Sequence, residues 1–155
     1  MAGFVIAPDD LTAPDVLALL ALHLERMHKW SPADKVHALP AEKLRATGVS
    51  FFAARANGEV AAVGALKELD AASGEIKSMR AADSWRGRGA GKAILLALVA
   101  EARARGYAWV GLETGRHPEF DAAHLLYEAH GFRECPSFGD YVSDDFSLCM
   151  RLELG

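Results

Sequence analysis

Cys135 and Cys149 are the only cysteines in 155 residues, and neither belongs to a CxxC pair. So low a thiol content excludes a disulfide framework and offers no zinc-ligand spacing; reduced thiols in a cytoplasmic protein are the expectation, with no metal site. A basic excess is lacking too. The formal net charge is -4, whereas a nucleic-acid-binding domain gathers Lys and Arg on one face, so nucleic acid is not an expected partner. No apolar run approaches the ~18–20 residues that cross a bilayer, so no membrane partner is expected either. The opening stretch MAGFVIAPDDLTAPD has neither the basic segment nor the long apolar core of a secretory leader. Repeats, low-complexity tracts and linkers are absent, and one domain over residues 1–155 is expected. Whether it assembles as a homodimer is left open.

What remains is a chain half apolar and one-quarter charged, the balance of a packed α/β protein. Phe4-Val5-Ile6, stopped by Pro8, reads as a strand. Thr12 is placed to cap a helix with Pro14 in its first turn, along which Val16, Leu19, Leu20, Leu24 and Met27 recur at helical spacing. Pro40 to Arg45 suggests a short second helix ended by Gly48. Phe51–Arg55 and Val60–Leu66 flank Asn57-Gly58, a hairpin signal, and Gly74–Ala81 follows as a third strand. Ile94, Leu95, Leu98, Val99 and Ala102 form one stripe of a long helix, with Arg103 and Arg105 in its last turn and Gly106 beyond it. Trp109–Thr114 is a strand, Ala122–His130 a helix stopped at Gly131, and strand-like pieces around Arg133–Phe138 and Ser147–Leu152 close the chain. The order is mixed α/β, an antiparallel meander first and a βαβ crossover in the middle.

The densest motif is Ser84-Trp85-Arg86-Gly87-Arg88-Gly89-Ala90-Gly91-Lys92. A P-loop would need glycine at Arg86 and a hydroxyl at Ala93, so it fails twice. A dinucleotide fingerprint needs G-x-G-x-x-G straight after a strand, but the spacing is G-x-G-x-G after a polar lead-in. Glu113 lies at a suitable distance for a ribose-binding acid, yet one crossover beside a hairpin does not make a doubly wound sheet. The third pattern, R-x-x-G-x-G on Arg86, Gly89 and Gly91, would let successive N–H groups converge on a pyrophosphate at a helix start. Taken alone, the stretch fits a plain turn into a helix equally well.

The stretch IKSMRAADSWRGRGAGKAILLALVAEARARGY, followed by LLYEAHGF, resembles the core of the GNAT acetyltransferase superfamily over about the second half of the chain. The resemblance implies a mixed sheet of six to seven strands with about four helices, splayed at its centre, and acetyl-CoA as co-substrate. It implies backbone contacts to pantetheine at Met79, Arg80 and Ala81, and a pyrophosphate clamp at Arg86, Gly87, Arg88, Gly89, Ala90, Gly91 and Lys92. Tyr127, in LLYEAHGF, takes the place of a general acid toward the CoA sulfur, and Glu75, opening EIKSM, that of the general base. Glu113 and His117, at and beyond the end of the next strand, are rival bases. The implied partner is an amine acceptor, a small molecule or a protein; an acyl-CoA sensor without turnover is the alternative. Phe120 stands where many relatives carry asparagine, and TGRHPEF is a longer loop than usual. ETG, LYEAHGF and FGDY resemble a bacterial subgroup labelled indole-acetate acetyltransferases, although indole acetate has no amine to acetylate. His28, Trp30, Phe138, Asp140 and Tyr141 are acceptor-site candidates.

Overall fold

The computed structural model describes residues 3–31, 41–138 and 147–155. Their order is β1 (Val5–Pro8), α1 (Pro14–Trp30), α2 (Ala41–Leu44), β2 (Val49–Ala56), β3 (Glu59–Asp70), β4 (Ser73–Ala81), α3 (Ala90–Ala104), β5 (Trp109–Gly115), α4 (Asp121–Ala129), β6 (Arg133–Cys135) and β7 (Ser147–Glu153). This is the order the sequence pattern predicts, with 3-10 turns added at Asp83–Trp85 and Pro118–Phe120. Pro40, Asp140 and Tyr141 lie outside the described residues. Asn57 and Gly58 take the positive φ angles, 53° and 80°, that a tight hairpin turn requires.

Thr12 does not cap α1. Its hydroxyl donates instead to Asp10 Oδ1 at 2.6 Å, and Ala13 occupies the cap position with no side-chain bond. The reason is local competition. Asp10 offers a charged acceptor two residues away, and Asp15 Oδ1 already accepts the Val16 N–H at 2.8 Å.

The strands form one seven-stranded sheet in the order β1-β2-β3-β4-β5-β7-β6. Every pairing is antiparallel except β4–β5, which is parallel and bridged by α3. Alternation along each strand supplies two apolar faces. One packs Ile94, Leu95 and Leu98 of α3, with Tyr127 of α4, against Leu66, Ile76, Val110 and Leu112. The other packs Val16, Leu19 and Leu20 of α1 against Phe51, Ala53, Val63 and Ala65.

Two irregularities in β4 decide what this sheet can hold. Its parallel pairing with β5 lasts for only three positions, Ser73 with Trp109, Gly74 with Val110 and Glu75 with Gly111. Beyond Glu75 the strands part: β4 stays with β3, while β5 stays with β7. The second irregularity is a bulge. Val63 pairs with Arg80 but Ala65 with Lys77, so β4 carries one extra residue, and Ser78 takes φ 56°. One inserted residue reverses the facing of all that follow and tightens the local twist. Glu75 and Lys77 therefore share the α1 face with Arg80, while Met79 turns to the α3 side, next to Leu98 and Ile94.

The three-residue seam is tightly packed. A Cβ built on Gly74 would fall 2.7 Å from Tyr107 Cε2 and 3.1 Å from Leu66 Cδ1. Both side chains are buried, so Gly74→Ala must displace an aromatic ring. It should lower unfolding free energy in urea titration by about 1–3 kcal/mol.

Candidate active site

Where β4 and β5 part, a cavity of about 290 Å³ opens through the sheet. Both helical layers line it. His23, Met27 and Trp30 come from α1; Ala122, Ala123, Leu126 and Tyr127 come from α4 or the residues that open it. β4 supplies Glu75 through Ala81 and β5 supplies Leu112 through Gly115. Arg86 and Gly91, flanking the start of α3, also line the cavity. A slot of this kind suits an extended chain that adds its backbone to a strand edge. Inside it the Ser78 hydroxyl, brought in by the bulge, is buried with no hydrogen-bond partner among the described residues. A buried unpaired hydroxyl is costly and offers a ready contact to a polar ligand.

The glycine stretch is neither strand nor plain coil. Gly87 and Gly89 take φ +72° and +88°, where a Cβ would be strained, and Gly89 is the N-cap of α3. The first helical bond runs from Ala93 N to Gly89 O, so the N–H groups of Ala90, Gly91 and Lys92 find no carbonyl one turn back. Four exposed residues, Arg86 to Gly89, lead into these donors. The Arg88 guanidinium lies 4.5 Å from the Trp85 ring centroid, which keeps its cation beside the turn. Donors, helix dipole and cations together give this end of the cavity a positive electrostatic character that suits an anion.

The other end is organised by burial. His23 is 7% exposed, and desolvation followed by the nearby Arg80 cation holds its pKa down at about 4. Its Nδ1 accepts the Arg80 Nε–H at 3.0 Å, so the proton of the neutral ring sits on Nε2. Arg80 also stacks on Trp30, 5.6 Å from the ring centroid, and Trp30 meets Phe120 edge-on at 6.3 Å. Burial, then Arg26 and Arg86 as like charges, pull the Arg80 pKa below the usual guanidinium range. Asp83 pairs with Arg26 through two bonds of 2.6 and 2.7 Å. Tyr127 is pushed up to about 12 by burial, with Arg80 opposing and Glu113 reinforcing the shift. Glu75 is buried and ion-paired to Lys77 Nζ at 3.3 Å.

Of the residues singled out from the sequence, Glu75, Met79, Arg80, Ala81, Arg86, Gly91, Glu113 and Tyr127 line the cavity. Gly87, Arg88, Gly89, Ala90 and Lys92 adjoin it in the turn and first helical residues. His117 is exposed and does not line it, and neither does His28 on α1. Trp30 does, while Phe138 packs on Trp109 with centroids 5.4 Å apart. Phe120, in asparagine's expected place, covers Gly115, where a Cβ would meet its ring at 2.4 Å. Sequence reading missed His23, although Val16, Leu19, Leu20 and His23 fall on one helical stripe; a histidine inside an apolar stripe was the available signal.

The sheet parts between its two parallel strands, and the glycine turn at the start of α3 stands at the mouth of the gap. The model of the acetyltransferase (GNAT) family matches residues 16–132, and the chain belongs to that family. It is similar to the uncharacterized N-acetyltransferase YsnE of Bacillus subtilis (strain 168), 44% identical over 94% of this chain and 97% of the relative. Among solved structures it is similar to a protein of Klebsiella pneumoniae assigned as an acyl-CoA N-acyltransferase, with TM-score 0.78, 29% identity and 98% of each chain covered. A GNAT family acetyltransferase of Elizabethkingia anophelis with acetyl-CoA bound shares the fold at TM-score 0.73 and 21% identity, covering 97% of this chain and 98% of that one.

The buried neutral His23 ties stability to pH. Its folded pKa of about 4 lies below the ordinary 6.5, so between those values the unfolded chain binds a proton that the folded chain refuses. His23's contribution is whole above pH 6.5, falls as pH drops toward 4, and is constant below that. Over this window it should amount to about 3 kcal/mol. Urea unfolding of His23→Asn, compared with the parent at pH 7 and pH 4, should show the variant losing less stability by about that amount.

Proposed function

We propose that this chain is a cytoplasmic N-acetyltransferase that uses acetyl-CoA and moves the acetyl group directly to a primary amine. The observation that carries this reading is the cavity at the parting of β4 and β5, open to both helical layers and flanked by the anion site of α3. Family membership supports it, and so does the acetyl-CoA bound by the Elizabethkingia neighbour. The residues present fit the co-substrate. Unpaired N–H groups at Ala90, Gly91 and Lys92, with Arg86 and Arg88, suit a pyrophosphate. The gap beside Met79, Arg80 and Ala81 suits an extended amide-bearing arm, and Ser78 offers an unused hydroxyl along it. When bound, acetyl-CoA supplies a thioester, so that the amine forms a C–N bond, the C–S bond breaks, and a proton is left for the departing sulfur.

The acceptor's ammonium must first lose a proton. With a pKa near ~10.4, that costs roughly 4–5 kcal/mol at neutral pH. Glu75 and Glu113, both facing the cavity on the α1 side, are the carboxylates that support a proton-accepting role; Glu75, on β4 where the strands part, takes it first. His117, exposed and outside the cavity, has no comparable position.

Tyr127 reaches the gap from α4. With its pKa held at about 12, the hydroxyl keeps its proton at neutral pH. Full transfer to a thiolate of pKa ~8.5 would run uphill by about 5 kcal/mol. Tyr127 is therefore assigned as a hydrogen-bond donor that stabilises the departing sulfur, a narrower role than complete proton delivery.

Purified protein should release free CoA thiol faster when amines are added. Tyr127→Phe should lower that rate roughly 10- to 100-fold, the worth of one hydrogen bond to a charged group. If acetyl-CoA binds and no amine in a broad panel accelerates release, a sensor without turnover is the better reading. Gly89→Asp, shown by circular dichroism to stay folded, should weaken acetyl-CoA binding in calorimetry by about tenfold or more. Undiminished binding there would remove the pyrophosphate clamp.

A further inference from the structure

We propose that the acceptor is a carboxylate-bearing amine of the amino-acid type, and that Arg80, held on the α1 face of the cavity by His23 and Trp30, binds its carboxylate. The proposal rests on the N-acetyltransferase reading and adds to it the class of the acceptor.

The argument begins with the bulge. Without the extra residue at Ser78, regular alternation from Lys77 would turn Arg80 toward α3. With it, Arg80 shares a face with Glu75, and its side chain runs to α1, where His23 and Trp30 receive it. Register gives Glu113 the same face, since Gly111 lies beside Glu75 and Glu113 is two residues farther along β5. The cavity thus carries Arg80 toward α1 and, on its strand walls, Glu113 and the Glu75–Lys77 ion pair. An amino-acid zwitterion carries the complementary pair of charges.

Arg80 is half-buried, yet among the described residues no carboxylate lies within ion-pair distance of it. Asp83, the carboxylate whose charge acts on it, is already engaged by Arg26 through both oxygens. A guanidinium withdrawn from water without an internal counter-ion is expensive unless a ligand supplies the anion. His23 meets Arg80 as a neutral acceptor and takes only the Nε–H. That contact fixes the plane of the guanidinium and leaves its two Nη groups for a bidentate anion, the geometry that matches carboxylate. Met27, Trp30 and Phe120 line the cavity nearby and provide an apolar wall for the acceptor's side chain.

The competing anion is the pyrophosphate of CoA. It has its own donors in the N–H groups of the first turn of α3, a helix whose apolar stripe packs on the opposite face of the sheet from α1. The Arg80 Nε–H is committed to His23 on α1.

The test uses the full-length protein loaded with CoA, and each of the twenty amino acids paired with its own α-amide. Calorimetry reads acceptor binding whether or not turnover occurs, and thiol release with acetyl-CoA reads turnover. At least one acid should bind, and be acetylated, roughly tenfold better than its amide. Arg80→Gln should shrink that preference to within about twofold, and Arg80→Lys should keep part of it as a point charge. Retained CoA binding by each variant reports a folded protein. Equal or better binding of amides across the panel overturns the proposal while leaving acetyl transfer standing. An acid preference that survives Arg80→Gln, with CoA binding weakened instead, assigns Arg80 to the pyrophosphate and also overturns it. If no amine is turned over but an acid still binds in an Arg80-dependent way, the anion site stands and the transferase reading falls.

Discussion

β4 and β5 share three parallel residue pairs and then separate. Parallel pairing normally continues for the length of a strand, because each lost bond leaves backbone groups to be satisfied elsewhere. Here β3 and β7 hold the two strands on their outer edges, so the inner edges stay open without unravelling the sheet. The bulge at Ser78 adds twist where the gap begins and sets the facing of every later side chain in β4. A cavity accessible from both helical layers is the direct result.

Burial does most of the electrostatic tuning inside that cavity. Three titratable groups line it with their protonation pushed one way by desolvation. His23 is driven neutral, Tyr127 keeps its proton, and Arg80 is pulled below its usual range. None of these shifts needs a neighbour of unusual chemistry. The sheet supplies a low-dielectric wall, α1 and α4 close it from opposite sides, and the charged forms lose their water. What distinguishes Arg80 is that Arg26 and Arg86 act on it as like charges while Asp83, the acid that offsets them, is already paired with Arg26.

Much of the fold was legible in the chain. The meander, the crossover, both amphipathic helices and the Asn57-Gly58 turn fell where periodicity and turn chemistry put them. Spacing alone narrowed the start of α3 to a choice between cradle and turn; what the structure adds is positive φ at Gly87 and Gly89 and three N–H groups with no carbonyl one turn back. The error at Thr12 was also local, since a better acceptor, Asp10, stood two residues away. His23 was readable as a polar residue in an apolar stripe, but its partner was not, because Arg80 is separated from it by two intervening strands.

By itself, then, the sequence determined the order of elements, the buried face of each helix and the position of the glycine turn. Those depend on rotations of 100° or 180° per residue and on which φ angles a residue tolerates, all properties of near neighbours. Tertiary structure alone decided that β4 leaves β5 after Glu75, that Ser78 is the extra residue, and that Arg80 faces α1 beside a neutral histidine. Facing after a bulge depends on the partner strand's register, and a pKa depends on the water removed by distant elements. Neither quantity exists until the sheet and its two helical layers have come together.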